Sequence, residues 1–290
     1  MHVGVVILLA AVISPFVGGL LTGIDRKISA RMQGRVGPPV LQPFYDVLKL
    51  FNKRAVTVND VTRYFVTIYL FFTAFTTVIF IAGFDILLSV FALTLANVFL
   101  VITAYSSMSP YSHAGAEREL LQIMSYEPMV MLVAFGYYLI AGSFSLHAMF
   151  SRAQPLIVSL PLVFIGLMYV MAFKLRKSPF DLSASHHAHQ ELVKGVLTEL
   201  NGICLAMIEI AHWYETIFAL GLVFIFFTWA PGWSIAVGAG ACLAAFFFEI
   251  WCDNAFARVK WEAAIKYSWL VTAAVGILNF YTIIYYRRLF

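Results

Sequence analysis

Charge is what this chain has least of: only 12% of its 290 residues are Asp, Glu, Lys or Arg, against about a quarter in an ordinary soluble domain. A water-facing surface for a protein of this size cannot be built from so few ionic groups. Cysteine is also scarce. Cys204, Cys242 and Cys252 lie inside apolar stretches and lack the C-x-x-C spacing of zinc or iron-sulfur sites. No glycine-rich phosphate loop, Rossmann fingerprint or nucleophile elbow is present, so the chain carries no cofactor ligand set of its own. No basic domain stands apart to receive nucleic acid, and neither an internal repeat nor a low-complexity segment is visible. The apolar opening lacks the basic flank and small-residue cleavage site of a signal peptide, and reads as a retained first span.

What fills the chain is hydrocarbon: 62% hydrophobic residues, with 27 Phe, 14 Tyr and 6 Trp. Runs of about 20 apolar residues cross a bilayer as helices, because backbone in lipid must satisfy its own hydrogen bonds. Eight such spans are expected, at 3–24, 64–84, 86–105, 128–149, 155–174, 201–229, 233–252 and 267–286. The expected fold is therefore all-α, one polytopic transmembrane domain over residues 1–290. Three connections are short turns, around Gly83 and Asp85, around Ser151 to Pro155, and at Ala230-Pro231-Gly232. The four long ones, 25–63, 106–127, 175–200 and 253–266, hold with Lys174 16 of the 19 Lys and Arg residues. The positive-inside rule puts these in the cytoplasm and both termini outside a cell membrane.

Within the first long connection, LQPFYDVLKLFNK places Leu41, Phe44, Tyr45, Leu48 and Phe51 opposite Asp46, Lys49 and Lys53, the pattern of an amphipathic helix lying in the interface or against the bundle. The basic residues before it, Arg31 and Arg35 among them, suit either a docked partner or lipid headgroups. In the second connection Arg118 can pair with Glu117, Glu119 or Gln122, and Glu127 stands at the entry to a span. The third, KLRKSPFDLSASHHAHQELVKGVLTE, concentrates Asp181, His186, His187, His189 and Glu191. The histidine spacing matches no closed metal set, so a polar docking surface is expected and a metal is not. The fourth carries Asp253 and Arg258, the latter suited to docking or to interface anchoring.

Ionisable residues inside the hydrocarbon are costly and face inward. Glu209, His212 and Glu215 recur every three residues and share one helix face, with Glu199 just before them; Glu249 and Asp253, four apart, form a second stripe. Such stripes serve as a proton path or as polar glue between helices.

The run GRVGPPVLQPFYDVLKLFNK resembles the signature of the membrane subunit that holds the peripheral arm of respiratory complex I. Its shorter form after Gly37 is more similar to the counterpart in energy-converting, group 4 nickel-iron hydrogenases. The resemblance extends along the chain: Arg118, Gln122, Ser125, Tyr126 and Glu127 match an R-x-x-x-Q-x-x-SYE pattern. Lys177 to Leu182 match RTPFDL, Glu191 to Glu199 match ELVAGxxTEY, and Asp253 with Arg258 match D-x-x-x-x-R. Where quinone-reducing relatives have a short acidic run, this chain has SASHHAHQ. The resemblance implies partners: a large subunit with nickel and iron, a small subunit and a ferredoxin-like subunit with iron-sulfur clusters, and an antiporter-like membrane subunit. It implies ferredoxin-dependent hydrogen evolution coupled to H⁺ or Na⁺ movement, with Glu127, Glu199 and the buried acids on the path. A formate hydrogenlyase or quinone-reducing subunit and a standalone transporter are the alternatives.

Overall fold

Because amides in oil have no water to bond, long apolar runs close into helices, and helices are what the computed structural model contains. It describes residues 3–53, 60–180, 192 and 194–289. The helices are α1 Val3–Met32, α2 Gln42–Phe51, α3 Asp60–Ile81, α4 Ile86–Tyr105, α5 Pro110–Ala141, α6 Leu156–Ser159, α7 Pro161–Lys174, α8 Gly202–Phe226, α9 Ser234–Ala255 and α10 Trp261–Leu289. Among the described residues α1, α3, α4, α5, α8, α9 and α10, seven helices, are long and apolar enough to cross a membrane.

The span expected at 155–174 is built differently. It consists of the single turn α6 and the 14-residue α7, broken between Ser159 and Pro161. Pro161 has no N–H to continue the ladder. Asn279 of α10 repairs the break: its Oδ1 accepts from the amides of Leu162 and Val163 at 3.1 and 3.2 Å, and its Nδ2 donates to Ser159 O at 3.1 Å. One buried amide side chain thus satisfies three backbone groups that lipid would leave bare.

Helix ends also depart from the sequence reading. The connection expected at 106–127 shrinks to four residues, because α5 starts at Pro110 and runs 32 residues through Pro128 to Ala141. Proline is tolerated at the first helical turn, and of the charges in Ala-Glu-Arg-Glu, which read as loop, Glu119 is buried and paired with Arg176, Arg118 is half-buried over Trp261, and Glu117 faces outward. Beyond α5, Gly142 takes a left-handed φ of 71° as the C-terminal cap, its amide bonded to Tyr138 O at 2.8 Å. The fourth connection contracts likewise, with α10 beginning at Trp261.

The three short connections share one end of the bundle. The turn after α3 pairs with the segment after α5 through Ile86 N to Phe144 O (3.0 Å) and Leu146 N to Phe84 O (3.2 Å), and Ala230 N bonds Arg152 O at 2.9 Å. α8 occupies the centre, packed against α1, α2, α3, α7 and α9. Gly18 of α1 lies so close to the backbone of Trp213 in α8 that a Cβ would collide with its carbonyl.

The amphipathic helix expected after Leu41 is α2, and it uses two apolar faces. Pro43 and Val47 are buried, and Phe44 and Leu50 pack on Trp213, Ala206 and Ile210 of α8, with the Phe44 and Trp213 rings 5.0 Å apart. Leu41, Tyr45, Leu48 and Phe51 point outward, where a bilayer interface would receive them.

Candidate functional site: a buried ionic cluster and its cavity

At the end of the bundle bearing the long connections, a cavity of about 270 Å³ opens between α1, α8, α9 and the turn after α7. Glu209, His212 and Glu215 of α8 all line it, as their spacing of three requires, and Asp253 enters from α9. The sequence stripe is therefore one wall of a real cavity. The opposite wall is basic: Lys174, Arg176 and Lys177.

Local geometry explains how those cations get inside. The turn after α7 closes with Lys177 N on Ala172 O (2.9 Å) and Arg176 N on Phe173 O (3.2 Å), and Arg176 has a left-handed φ of 51°. This is a Schellman-type helix end, whose left-handed position is normally glycine. An arginine there costs about 1 kcal/mol or more. In return its guanidinium reaches back into the bundle: Nη2 donates to Glu119 Oε1 of α5 at 2.7 Å, Nη1 lies 3.6 Å from Glu215 Oε2, and Nη1 also meets His212 Nε2. Burial opposes its charge, but the Glu119 and Glu215 carboxylates outweigh that and hold the guanidinium well above its ordinary range. Arg176 is thus a fixed cation.

Lys174, the last residue of α7, puts its Nζ 2.9 Å from Glu215 Oε1 and 5.2 Å from the centre of the Tyr126 ring. Glu119, Glu215 and Lys174 are all buried. Two cations facing two carboxylates balance, which is the condition for keeping ions in a low-dielectric interior. Lys177 forms a second centre, 2.8 Å from Asp25 Oδ2 of α1. Asp253 Oδ1 accepts from the Ser178 amide at 2.8 Å and so holds the turn. One helical turn inward, Glu249 is 1% exposed, and neither of its oxygens has a hydrogen-bond partner among the described residues.

The polar contacts continue across the bundle. Tyr126, beside Lys174, receives a hydrogen bond on its hydroxyl from Asn97 Nδ2 of α4 at 2.7 Å. The next residue, Glu127, is half-buried and accepts from Thr94 Oγ1, one turn before Asn97 on α4. Cavity, Arg176, Glu215, Lys174, Tyr126 and Asn97 thus make one succession of polar groups from α1 to α4.

Other expected residues fall elsewhere. Glu199 is exposed, in the turn before α8, and does not line the cavity. Arg31 and Arg35 are exposed beyond the cavity, Arg35 bonded to Gln33. Arg118 stacks over Trp261 of α10, 4.7 Å from the ring centre. Gln122, one turn on, donates its amide to Phe173 O at 2.6 Å. Arg258 lies half-buried between α9 and α10. Asp181, His186, His187, His189 and Glu191 lie outside the described residues. Sequence reasoning gave no site role to Lys174, Arg176, Glu119, Asp25 or Asn97. The one local signal was an arginine at the position where a helix-ending glycine would stand.

The family profile described as NADH dehydrogenase matches residues 4–284. The chain belongs to this family. Curated relatives include an NADH-quinone oxidoreductase subunit of Syntrophotalea carbinolica, 26% identical and covering 88% of this chain and 87% of its own. Hydrogenase-4 component C of Escherichia coli is 31% identical, covering 68% of this chain and 66% of its own. Among solved structures, a chain of the membrane-bound sulfane sulfur reductase, an archaeal respiratory membrane complex, superposes with a TM-score of 0.83 over 96% of this chain and 100% of that one, at 24% identity. That likeness shows the shared fold. This family member is a multi-pass, all-α membrane protein of the complex I-like type.

Proposed function

We propose that this chain is the membrane subunit of an energy-converting oxidoreductase, on which a redox-active peripheral arm sits and through which its free energy moves an ion. The observation that carries this reading is the succession of polar groups from the cavity to Asn97, beginning at the face where the long connections gather, with the Thr94 and Glu127 pair one turn along α4. Glu209, His212, Glu215, Asp253, Glu249 and Glu127 take part in proton movement, with Glu199 at the surface entry. Arg176 and Lys174 set the field in which Glu215 and Glu119 work. Arg31, Arg35, Arg118, Arg258 and the segment from Asp181 to Glu191 serve the docking face, which is cytoplasmic, with both chain ends outside the cell membrane.

The arm is of the hydrogenase kind: reduced ferredoxin is oxidised through iron-sulfur clusters, and hydrogen forms at nickel and iron carried by partners. An antiporter-like membrane subunit lies alongside and translocates H⁺ or Na⁺. The histidine-rich SASHHAHQ in place of an acidic run supports this choice, as does the hydrogenase-4 relative. The near-full-length similarity to NADH-quinone oxidoreductase subunits favours a second reading, a quinone-reducing complex. Native purification from the source membrane, with metal analysis and subunit identification, separates the two. Co-purified nickel and ferredoxin-driven hydrogen evolution that acidifies vesicles are expected; a nickel-free complex that reduces quinone overturns the hydrogenase assignment.

A further inference from the structure

A second hollow lies at the opposite end of the bundle, independent of the ionic cluster and of the function proposed for it. It has a volume of about 530 Å³ and lies between α1, α3, α8 and α9. Its walls are hydrocarbon, including Leu21, Phe80, Leu220, Phe224 and Leu243, and among the described residues the one ionisable nitrogen on it belongs to His147.

Small residues create the space. Gly221 of α8 faces the Phe80 ring, where a Cβ would stand 2.5 Å from it, and α9 presents Ala239 and Cys242. At the mouth, Gly83 has a left-handed φ of 84°, and a Cβ there would stand 2.6 Å from His147 Nε2. The imidazole is seated against bare backbone yet remains exposed. The hollow is therefore amphiphilic in plan, with an apolar slot under a single polar group at the water boundary.

Its lining selects the occupant. From Ile217 to Ile225 the α8 wall is about 12 Å long at 1.5 Å per residue. Water has no partners along such walls, whereas a hydrocarbon chain loses nothing against them, and the one ionisable nitrogen among the described residues of the lining, on His147, stands where the head of such an amphiphile would reach water.

We propose that this slot binds one phospholipid of the leaflet at the short-connection end, with an acyl or isoprenoid chain along α8 and α9 and the phosphate at His147. The test uses the full chain in nanodiscs doped with a phospholipid carrying a diazirine midway along one chain, with photoadducts mapped by peptide mass spectrometry. Adducts at 217–225 and 239–243 should exceed those on Leu88 and Phe91, which face outward on α4, by about tenfold, the ratio given by 1.4 kcal/mol of preference. Ala239→Phe, on an exposed position of α9, should abolish the excess while leaving the α4 adducts. His147→Ala should lower phospholipid retention but not labelling by a diazirine fatty alcohol. Adducts no denser in the slot than on α4, or an excess that survives Ala239→Phe, overturn the site. Equal phospholipid retention in His147→Ala overturns the headgroup contact.

Discussion

Lys174 and Glu215 meet at 2.9 Å with both side chains almost fully enclosed, 7% and 4% exposed, although 41 residues separate them along the chain. A buried charge of either sign is costly without a partner; here each faces the other, and Arg176 and Glu119 supply a second balanced pair beside them. Glu215→Leu leaves Lys174 buried and uncompensated and should destabilise the protein by about 3–5 kcal/mol. The double variant Lys174→Met with Glu215→Leu should recover most of that loss while ion movement stays abolished. Thermal unfolding in nanodiscs gives the first quantity and vesicle acidification the second. A double variant that pumps normally would remove the pair from the mechanism.

Arg176 offers a sharper separation of backbone from charge. Arg176→Gly relieves the left-handed strain, about 1 kcal/mol, but strips Glu119 and Glu215 of their shared guanidinium. The expected net result is a loss of stability of about 2 kcal/mol or more, and Arg176→Lys should fall short of rescue because one ammonium cannot reproduce the fork. Chemical denaturation of the three proteins checks the order wild type, Lys, Gly. Since two carboxylates hold Arg176 well above its ordinary range, its contribution is fully present below the unfolded-state value and would be lost only as pH rises through the higher folded one. Between about pH 5 and 9 the Arg176 contribution should therefore be flat, that range lying far below the ordinary value of a guanidinium.

The Tyr126 and Asn97 contact tests the continuity of the polar succession. Tyr126→Phe keeps the ring beside Lys174 but leaves the buried Asn97 amide without its acceptor, at about 1–3 kcal/mol. We expect redox turnover to continue with a reduced ion gradient, read as the ratio of acidification to product formed. A wild-type ratio in Tyr126→Phe would sever α4 from the path.

Asn279→Leu addresses the broken helix. Three backbone groups at Ser159, Leu162 and Val163 lose their partner in a place without water, where each unmet group costs about 1–3 kcal/mol. The variant should be expressed poorly or melt much earlier than wild type, and Asn279→Asp should rescue only the amide side of the repair. Near-wild-type melting of Asn279→Leu would show that the break closes by itself.

The sequence makes the bundle legible because hydropathy is a sum over about 20 residues, and no single substitution hides it. It makes α2 legible because Phe44, Leu48 and Phe51 keep helical period, although two-faced burial needs Trp213, which lies far along the chain. The wall formed by Glu209, His212 and Glu215 is legible for the same local reason. Lys174 and Arg176 are not, because positive residues at a span end look like cytoplasmic flank, and what turns them inward is a left-handed turn whose partners lie 41 and 57 residues away. The start of α5 is missed through the same ambiguity: Glu119 reads as solvated loop until its partner Arg176 is placed beside it. Asn279 carries no local sign at all, since the carbonyl and amides it serves belong to another helix.

The length of α5 has a mechanical consequence. Its 32 residues extend about 48 Å at 1.5 Å each, against a hydrocarbon layer of about 30 Å, so roughly a third of the rod stands in the polar layer or water beyond it. Arg118 and Tyr126 ride on the same rigid shaft, about two turns apart. A partner that leans on the protruding end works a lever, and the hydroxyl beside Lys174 is carried by its submerged arm.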